Sequence, residues 1–442
     1  MGRDAWTSPW FPGHERPRNQ NVGASGKAAM APACVLLDRY VPFLDNPVPA
    51  IAAAREGPAT AMRGGARAAV PSREAMSEGI AAYLRAMKPD PQVAEPPMVT
   101  YLSMVRPSPS DSSVPQYGHQ LHSGIVASAD KNLLVLYAGP YRPGNSSQGC
   151  YLVYDANAGS SSTVPGIPFS AFYCSPGRGT VVTAAADGSF VLAELLVSFR
   201  PAPARGVLCL WPASMAGGIR WVHKSGRLPA EACPPAHIFK AHMSFAVGSR
   251  SLLCWVDLYG PLLCDAAVDG DDPGFRFVPL PDGHAIETDR RRQFRPEEFR
   301  SVGCVAGAVR FAAMDGYLRR RVPGDQVTLT TWTLDMRDLA RASWTKDTEL
   351  CLGDLWADES FVSSGLPRMK PMHPVLSTRH HDVAYLVLAD DVPMDSSRTL
   401  KRAQHLLSVD TRHAKVLSSS TYDGLGRQWP NLVATEFSAY IQ

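Results

Sequence analysis

The stretch from Ser251 to Pro281, SLLCWVDLYGPLLCDAAVDGDDPGFRFVPLP, limits what this chain can fold into more than any other. Leu252 to Asp257 is an apolar run of strand formers that Tyr259-Gly260-Pro261 breaks. Leu262 to Asp265 resumes it, and Asp269-Gly270 with Pro273-Gly274 breaks it again before Phe275 to Val278. That punctuation predicts three short strands in a meander. The first strand is apolar on both faces, with Leu252, Cys254 and Val256 on one and Leu253 and Trp255 on the other, so its sheet must be covered on both sides.

Strand signals of this kind recur beyond Pro97 almost to the end of the chain, and helical signal is scarce there. They fall at Met98 to Val105, Gly124 to Ser128, Asn132 to Ala138, Cys150 to Tyr154, Thr180 to Ala185, Ser189 to Val197, Gly206 to Trp211, Ile219 to His223 and Met243 to Val247. They continue at Ser301 to Val305, Ala308 to Met314, Val327 to Leu334, Val383 to Leu388, His405 to Val409 and Ala414 to Ser418. A weak repeat runs through them: a strand closes on an aspartate before a polar turn, as in LVYD at Asp155, LLCD at Asp265, WTLD at Asp335 and LSVD at Asp410. Short antiparallel units repeated every ~40 to 50 residues, with no edge left free, are how a β-propeller is built. The expected fold is therefore all-β, an irregular β-propeller of about six to seven blades over residues 97–442. Two packed β-sandwich domains are the alternative.

Ahead of that region the sequence changes character. Residues 1–30 are rich in Gly, Pro, Arg and Asn without apolar period and are expected to be disordered, with Met30 an alternative start. Residues 31–96 carry a lone strand from Cys34 to Val41, an Ala/Arg-rich linker, and one short helix from about Arg73 to Met87 stopped by Pro89 and Pro91. A closed ring needs its two chain ends to share a blade, and the lone strand is the candidate to pair beside the last C-terminal strands.

A net charge of +3 across 442 residues gives no electrostatic case for nucleic acid or an anionic membrane. No apolar run reaches the ~18 to 20 residues of a membrane helix. The 9 cysteines are scattered without a Cys-x-x-Cys pair, several inside apolar strands, as suits a reducing compartment. With no apolar core of a secretory signal at the start, a cytoplasmic or nuclear location is expected, organelle targeting remaining open. Asn145-Ser146-Ser147 fits a glycosylation acceptor, which has no consequence without secretion.

CWVDLYGPLLCD followed by RFVPLP, then RSVGCVAGAVRFAAMD and TTWTLD with Trp344, resembles the plant, grass-expanded domain of unknown function 1618 (DUF1618) family. ACVLLDRYV, FVLAELLV and GVLCLW are similar to the flanking parts of that family, whose core here is about residues 250–390. The resemblance implies a propeller-like fold related to kelch-type and F-box-associated β domains, with no established catalytic or ligand-binding residues. Some relatives place an F-box before the domain, and this chain shows no Leu-Pro-led helix of that kind.

Several clusters invite a chemical reading. The aspartates at 155, 265, 335 and 410 are expected to accept turn amides rather than to form a cation ring. Cys233, His237 and His242 offer thiolate and imidazole groups at short spacing, but three ligands at this spacing make no standard finger, and a surface loop is the preferred reading. His119 with His122, and His380-His381-Asp382, are weaker. Gly23 to Lys27 lacks the first glycine and the hydroxyl of a phosphate loop, and Gly177 and Gly179 lack a third glycine because Val182 stands in its place. Arg290-Arg291-Arg292 and Arg319-Arg320-Arg321 lie beside acidic residues and read as solvated loops. Trp211, Trp221, Trp255, Trp332 and Trp344 fall at packing positions.

No catalytic, cofactor-binding or metal-ligating residue is assigned, and no cofactor is expected. The expected function is a non-enzymatic, monomeric scaffold that binds a protein partner through propeller loops, with no nucleic-acid or membrane partner. The alternatives are a substrate adaptor of the F-box-associated type without a recognisable F-box, and a metal-assisted hydrolase whose ligands converge from different blades.

Overall fold

The computed structural model describes residues 31–45, 73–107, 121, 123–139, 149–167, 177, 179–185, 187–198, 204–213, 220–234, 237, 239–248, 252–265, 271–285, 295–318, 322–338, 341–395, 398–422 and 431–441. Several readings above lie outside them: the tail before Ala31, the linker, Gly23 to Lys27, His119 and His122, Asn145 to Ser147, Arg290 to Arg292 and Arg319 to Arg321.

The chain is all-β. β1 (Val35–Asp38) and β2 (Tyr40–Leu44) precede α1 (Arg73–Ala86), β3 (Lys88–Gln92) and β4 (Val99–Val105). Meanders of four strands follow. The first is β5 (Ser123–Asp130), β6 (Leu133–Ala138), β7 (Cys150–Asp155) and β8 (Ser160–Val164), and the second β9 (Thr180–Ala184), β10 (Phe190–Ser198), β11 (Arg205–Ala213) and β12 (Val222–Arg227). The third is β13 (Met243–Val247), β14 (Leu252–Asp257), β15 (Gly260–Asp265) and β16 (Arg276–Phe277), and the fourth β17 (Arg300–Val305), β18 (Ala308–Asp315), β19 (Thr328–Asp335) and β20 (Ser343–Cys351). Two short helices, α2 (Leu352–Ala357) and α3 (Glu359–Ser363), lead to β21 (Met372–Leu376), β22 (Val383–Asp395), β23 (Arg398–Asp410) and β24 (Lys415–Thr421), and β25 (Leu432–Thr435) comes last.

The last four meanders are separate four-stranded sheets, and the first belongs to a nine-stranded sheet ordered β25-β1-β4-β2-β5-β6-β7-β8 with β3 beside β4. The lone strand of the sequence divides at Arg39, where Asp38 Oδ1 accepts the Tyr40 amide at 3.0 Å. Its first half runs antiparallel to β25, Val35 opposite Thr435 and Asp38 opposite Leu432, so the two ends of the described chain do share a sheet. The first strands of the meanders pack in series, β5 on β9, β9 on β13, β13 on β17, β17 on β21 and β21 on β25.

The two-sided apolar character of β14 has the predicted cause. Leu253 and Trp255 enter a core with Leu195 and Leu208 of the preceding sheet. Cys254 and Val256 enter another with Val309 and Phe311 of the following sheet. Indole groups seal these seams: Trp255 Nε1 donates to Gly179 O at 2.7 Å, Trp344 to Pro279 O at 2.7 Å and Trp221 to Pro165 O at 2.9 Å. Rings with one polar handle, buried at Trp255 and Trp221 and half-buried at Trp344, thus hold neighbouring sheets together.

Two differences from the sequence reading have clear causes. Pro89 and Pro91 stop the helix as expected, yet they lie within β3, which pairs only with β4; proline is tolerated on such an edge because the missing N–H faces no partner. The strands predicted at Val383 to Leu388 and His405 to Val409 extend into a hairpin of 13 residues a side. Its outer part, from Ala389 opposite Ala403 to Asp395 opposite Arg398, runs beyond the registers of β21 and β24.

Candidate functional site

In a four-stranded antiparallel meander, the turn between the second and third strands and the link from the fourth strand to the next sheet emerge at the same end. Around the third and fourth sheets that end gathers buried polar groups. The sequence Asp257-Leu258-Tyr259 closes β14; His242 lies just before β13, its amide bonded to Val256 O at 2.7 Å. Glu297 lies in a short 3-10 turn, Pro296–Glu298, before β17, and Arg300 is the first residue of β17.

Asp257 is the centre of this arrangement, at 1% exposure. Its Oδ2 accepts His237 Nε2 at 2.7 Å and the Lys240 amide at 3.1 Å, while its Oδ1, 3.8 Å from His242 Nδ1, has no hydrogen-bond partner among the described residues. His242 Nδ1 accepts the Leu258 amide at 3.4 Å, which leaves Nε2 to carry the proton toward Glu297 Oε2, 4.0 Å away. Arg39 Nη1 donates to His242 O at 3.4 Å and Arg39 Nε to Val126 O at 2.8 Å, tying the first sheet in. Arg300 Nη1 donates to Leu258 O at 3.5 Å, and His373 Nδ1 to Glu297 O at 3.1 Å, bringing in the fifth meander.

Burial dominates the electrostatics. It lowers the Arg300 guanidinium to about 10, against the opposing pull of Asp315 and Tyr259. It raises the Cys233 thiol, with the Asp257 charge adding to that shift, so Cys233 is held in the unreactive thiol form. His284, 3.5 Å from Asp315 Oδ1, is lowered by burial, with Asp315 opposing.

The structure therefore brings together His237 and His242 of the sequence-level cluster, but on a carboxylate, not on a metal position. The His242 nitrogens are divided between a backbone amide and Glu297, and among the described residues no three His, Cys, Asp or Glu side chains could hold an ion. Nor is this a solvated surface loop: the His237 and His242 side chains are 12% and 16% exposed. What the arrangement can do is hold an oriented imidazole and cross-link several sheets. Sequence reasoning missed Asp257, Glu297, Arg300, Arg39 and His373. The only linear signal was an aspartate closing an otherwise apolar strand.

The remaining candidates separate from this end. The four repeat aspartates are each the last residue of a third strand, β7, β15, β19 or β23, hence at the opposite end. Asp155 Oδ1 accepts the amides of Asn157 at 2.9 Å and Ala158 at 3.2 Å, and Asp410 Oδ1 those of Arg412 at 2.9 Å and His413 at 3.0 Å. Asp335 accepts the Arg337 amide at 3.0 Å, and bonds from the Arg337 guanidinium hold its carboxyl down at about 2. Asp382 is clasped by Arg412 at 2.9 and 3.2 Å. Gly177 adopts φ 80° and admits the Tyr137 ring where a Cβ would come within 2.6 Å, so packing accounts for it.

Comparison with known proteins gives one family match, over part of the chain. Residues 255–385 match the model of a family described as "Protein of unknown function (DUF1618)". The DUF1618 match runs from Trp255 in β14 to Tyr385 in β22 and includes Asp257, Glu297, Arg300 and His373, while His237 and His242 lie just upstream. No curated protein matches the chain. Among solved structures, it is similar to an ACO/RPE65 chimera at 10% identity and a TM-score of 0.28, over 65% of this chain and 57% of that one. It is also similar to an unknown function protein from Dyadobacter fermentans DSM 18053 at 14% identity and a TM-score of 0.30, over 67% and 81%. At these scores neither likeness bears on the fold or chemistry of this chain. Among the described residues no helix is long and apolar enough to cross a membrane.

Proposed function

We propose that this chain is a DUF1618 protein throughout its length, folded as a closed β-propeller of about six blades, and that it serves as a non-enzymatic scaffold docking a protein partner on the end where Asp257 lies. The series of first-strand contacts carries this reading: it runs from β5 to β25, and β25 returns through β1, β4 and β2 to β5. In such a ring the Asp257–His242–Glu297 network, with His237 on Asp257, fastens the loops of one face, and α2 and α3 in the β20–β21 link stand on that same face. There Val362 of α3 is 59% exposed and offers an apolar contact to a partner. The free, largely buried cysteines among the described residues suit the cytoplasm or nucleus.

The test is affinity capture with the purified chain beside a Val362→Asp variant that unfolds at the same temperature. A recurring stoichiometric partner lost with the variant supports the scaffold. Repeated capture of no partner, or of one indifferent to Val362 and to the neighbouring loops, overturns it.

A further inference from the structure

The second and third sheets meet at an outer flank built around two glycines. Gly206 and Gly226 face one another across β11 and β12. A Cβ on Gly226 would come within 2.8 Å of Asp272 Oδ1 and of Pro273, and one on Gly206 within 2.7 Å of the Phe275 ring. The glycine pair lets the segment 271–275 lie against the sheet. Arg205, Arg227 and Ser225 stand on the opposite face of the same strand pair, and a cleft of about 320 Å³ at the β12 edge is lined by these three with Asp272 and Phe275.

Arg205 and Arg227 are register partners directly across the strand pair, and both are exposed. Like charges so placed destabilise a sheet. Among the described residues neither guanidinium has a carboxylate within 4.0 Å. Asp272, though it lines the same cleft, turns its Oδ1 to the Gly274 amide at 3.0 Å. Two arginines directly across the strand pair, on the same face as the Ser225 hydroxyl, are matched by an anion of charge near −2 with several acceptor oxygens. A carboxylate, singly charged, would leave one arginine unmatched.

We propose that this cleft binds a phosphate monoester, with Arg205 and Arg227 donating to its oxygens and Asp272 limiting affinity for anions in general. The site stands whether or not the chain is a scaffold, because the ligand could be a small phosphate or a phosphorylated side chain. Calorimetric titration of the full chain with inorganic phosphate, O-phosphoserine and serine tests it. A phosphoserine peptide and its unphosphorylated form distinguish the source. The two phosphates should bind and serine should not. Arg205→Ala and Arg227→Ala should each weaken binding ~10-fold or more, and Asp272→Asn should tighten it, with thermal unfolding unchanged. A peptide that binds ~10-fold more tightly than free phosphoserine identifies a phosphoprotein segment as the ligand, and equal affinity a small phosphate. No binding of phosphate, or binding that survives in the double arginine variant, overturns the proposal.

Discussion

Glu194 shows at the scale of one residue how the seams between sheets set stability. It is fully buried in β10, where the Thr180 and Tyr151 hydroxyls donate to Oε2, the latter at 3.0 Å. Burial nevertheless pushes its carboxyl from 4.5 up to about 7. A raised folded value means the native state keeps a proton that the unfolded chain has released. The stability it contributes is therefore full below about 4.5 and is lost as pH rises through about 7. Urea unfolding at about pH 5 and pH 8 should differ by on the order of 3 kcal/mol from this group, and Glu194→Gln should abolish that difference. A variant with an unchanged slope would show that the dependence arises elsewhere. Trp255 is the second seam residue to test: Trp255→Ala should cost about 3 to 5 kcal/mol. Trp255→Phe should cost about 1 to 3 kcal/mol, because the Gly179 carbonyl loses its donor.

At the scale of the element, sequence legibility follows burial. Strands with both faces in cores, such as β6 and β14, were readable because nearly every residue is apolar. Two of the fourth strands were not: β8 reads SSSTV and β20 SWTKDTELC, and the expected Ile219 to His223 only overlaps the start of β12, VHKSGR; exposed faces at these outermost positions demand no apolar pattern. The repeat aspartates were legible because a third strand must end in a turn, and Asp410→Ala should cost about 1 kcal/mol in denaturant unfolding. Asp257 was not, since an aspartate after an apolar strand looks the same whether it caps a turn or anchors a buried imidazole. Glu297, Arg300 and His373, which join the arrangement through His242, the Leu258 carbonyl and the Glu297 carbonyl, arrive only through sheet-on-sheet packing. The outer part of the β22–β23 hairpin pairs with neither β21 nor β24, so replacing residues 390–402 with a two-residue turn should change stability by less than about 0.5 kcal/mol. A larger loss would mean that the arm packs back on the molecule.

At the scale of the whole molecule, all depends on how the ends of the described chain meet. β1 stands between β25 and β4, antiparallel to one and parallel to the other, so a segment near the start joins strands that close the series. Removing β25 makes β1 an edge strand, held only by its short parallel register with β4, Leu36 opposite Val99 and Leu37 opposite Thr100. Hydrogen exchange at the Val35–Asp38 amides, in the full chain and in a chain ended at residue 430, tests this most directly. The closed ring predicts that in the full chain Val35–Asp38 and Leu432–Thr435 exchange at the same slow, globally limited rate, and that truncation speeds Val35–Asp38 by ~100-fold or more. Protection of Val35–Asp38 that is indifferent to the loss of β25 would contradict the ring.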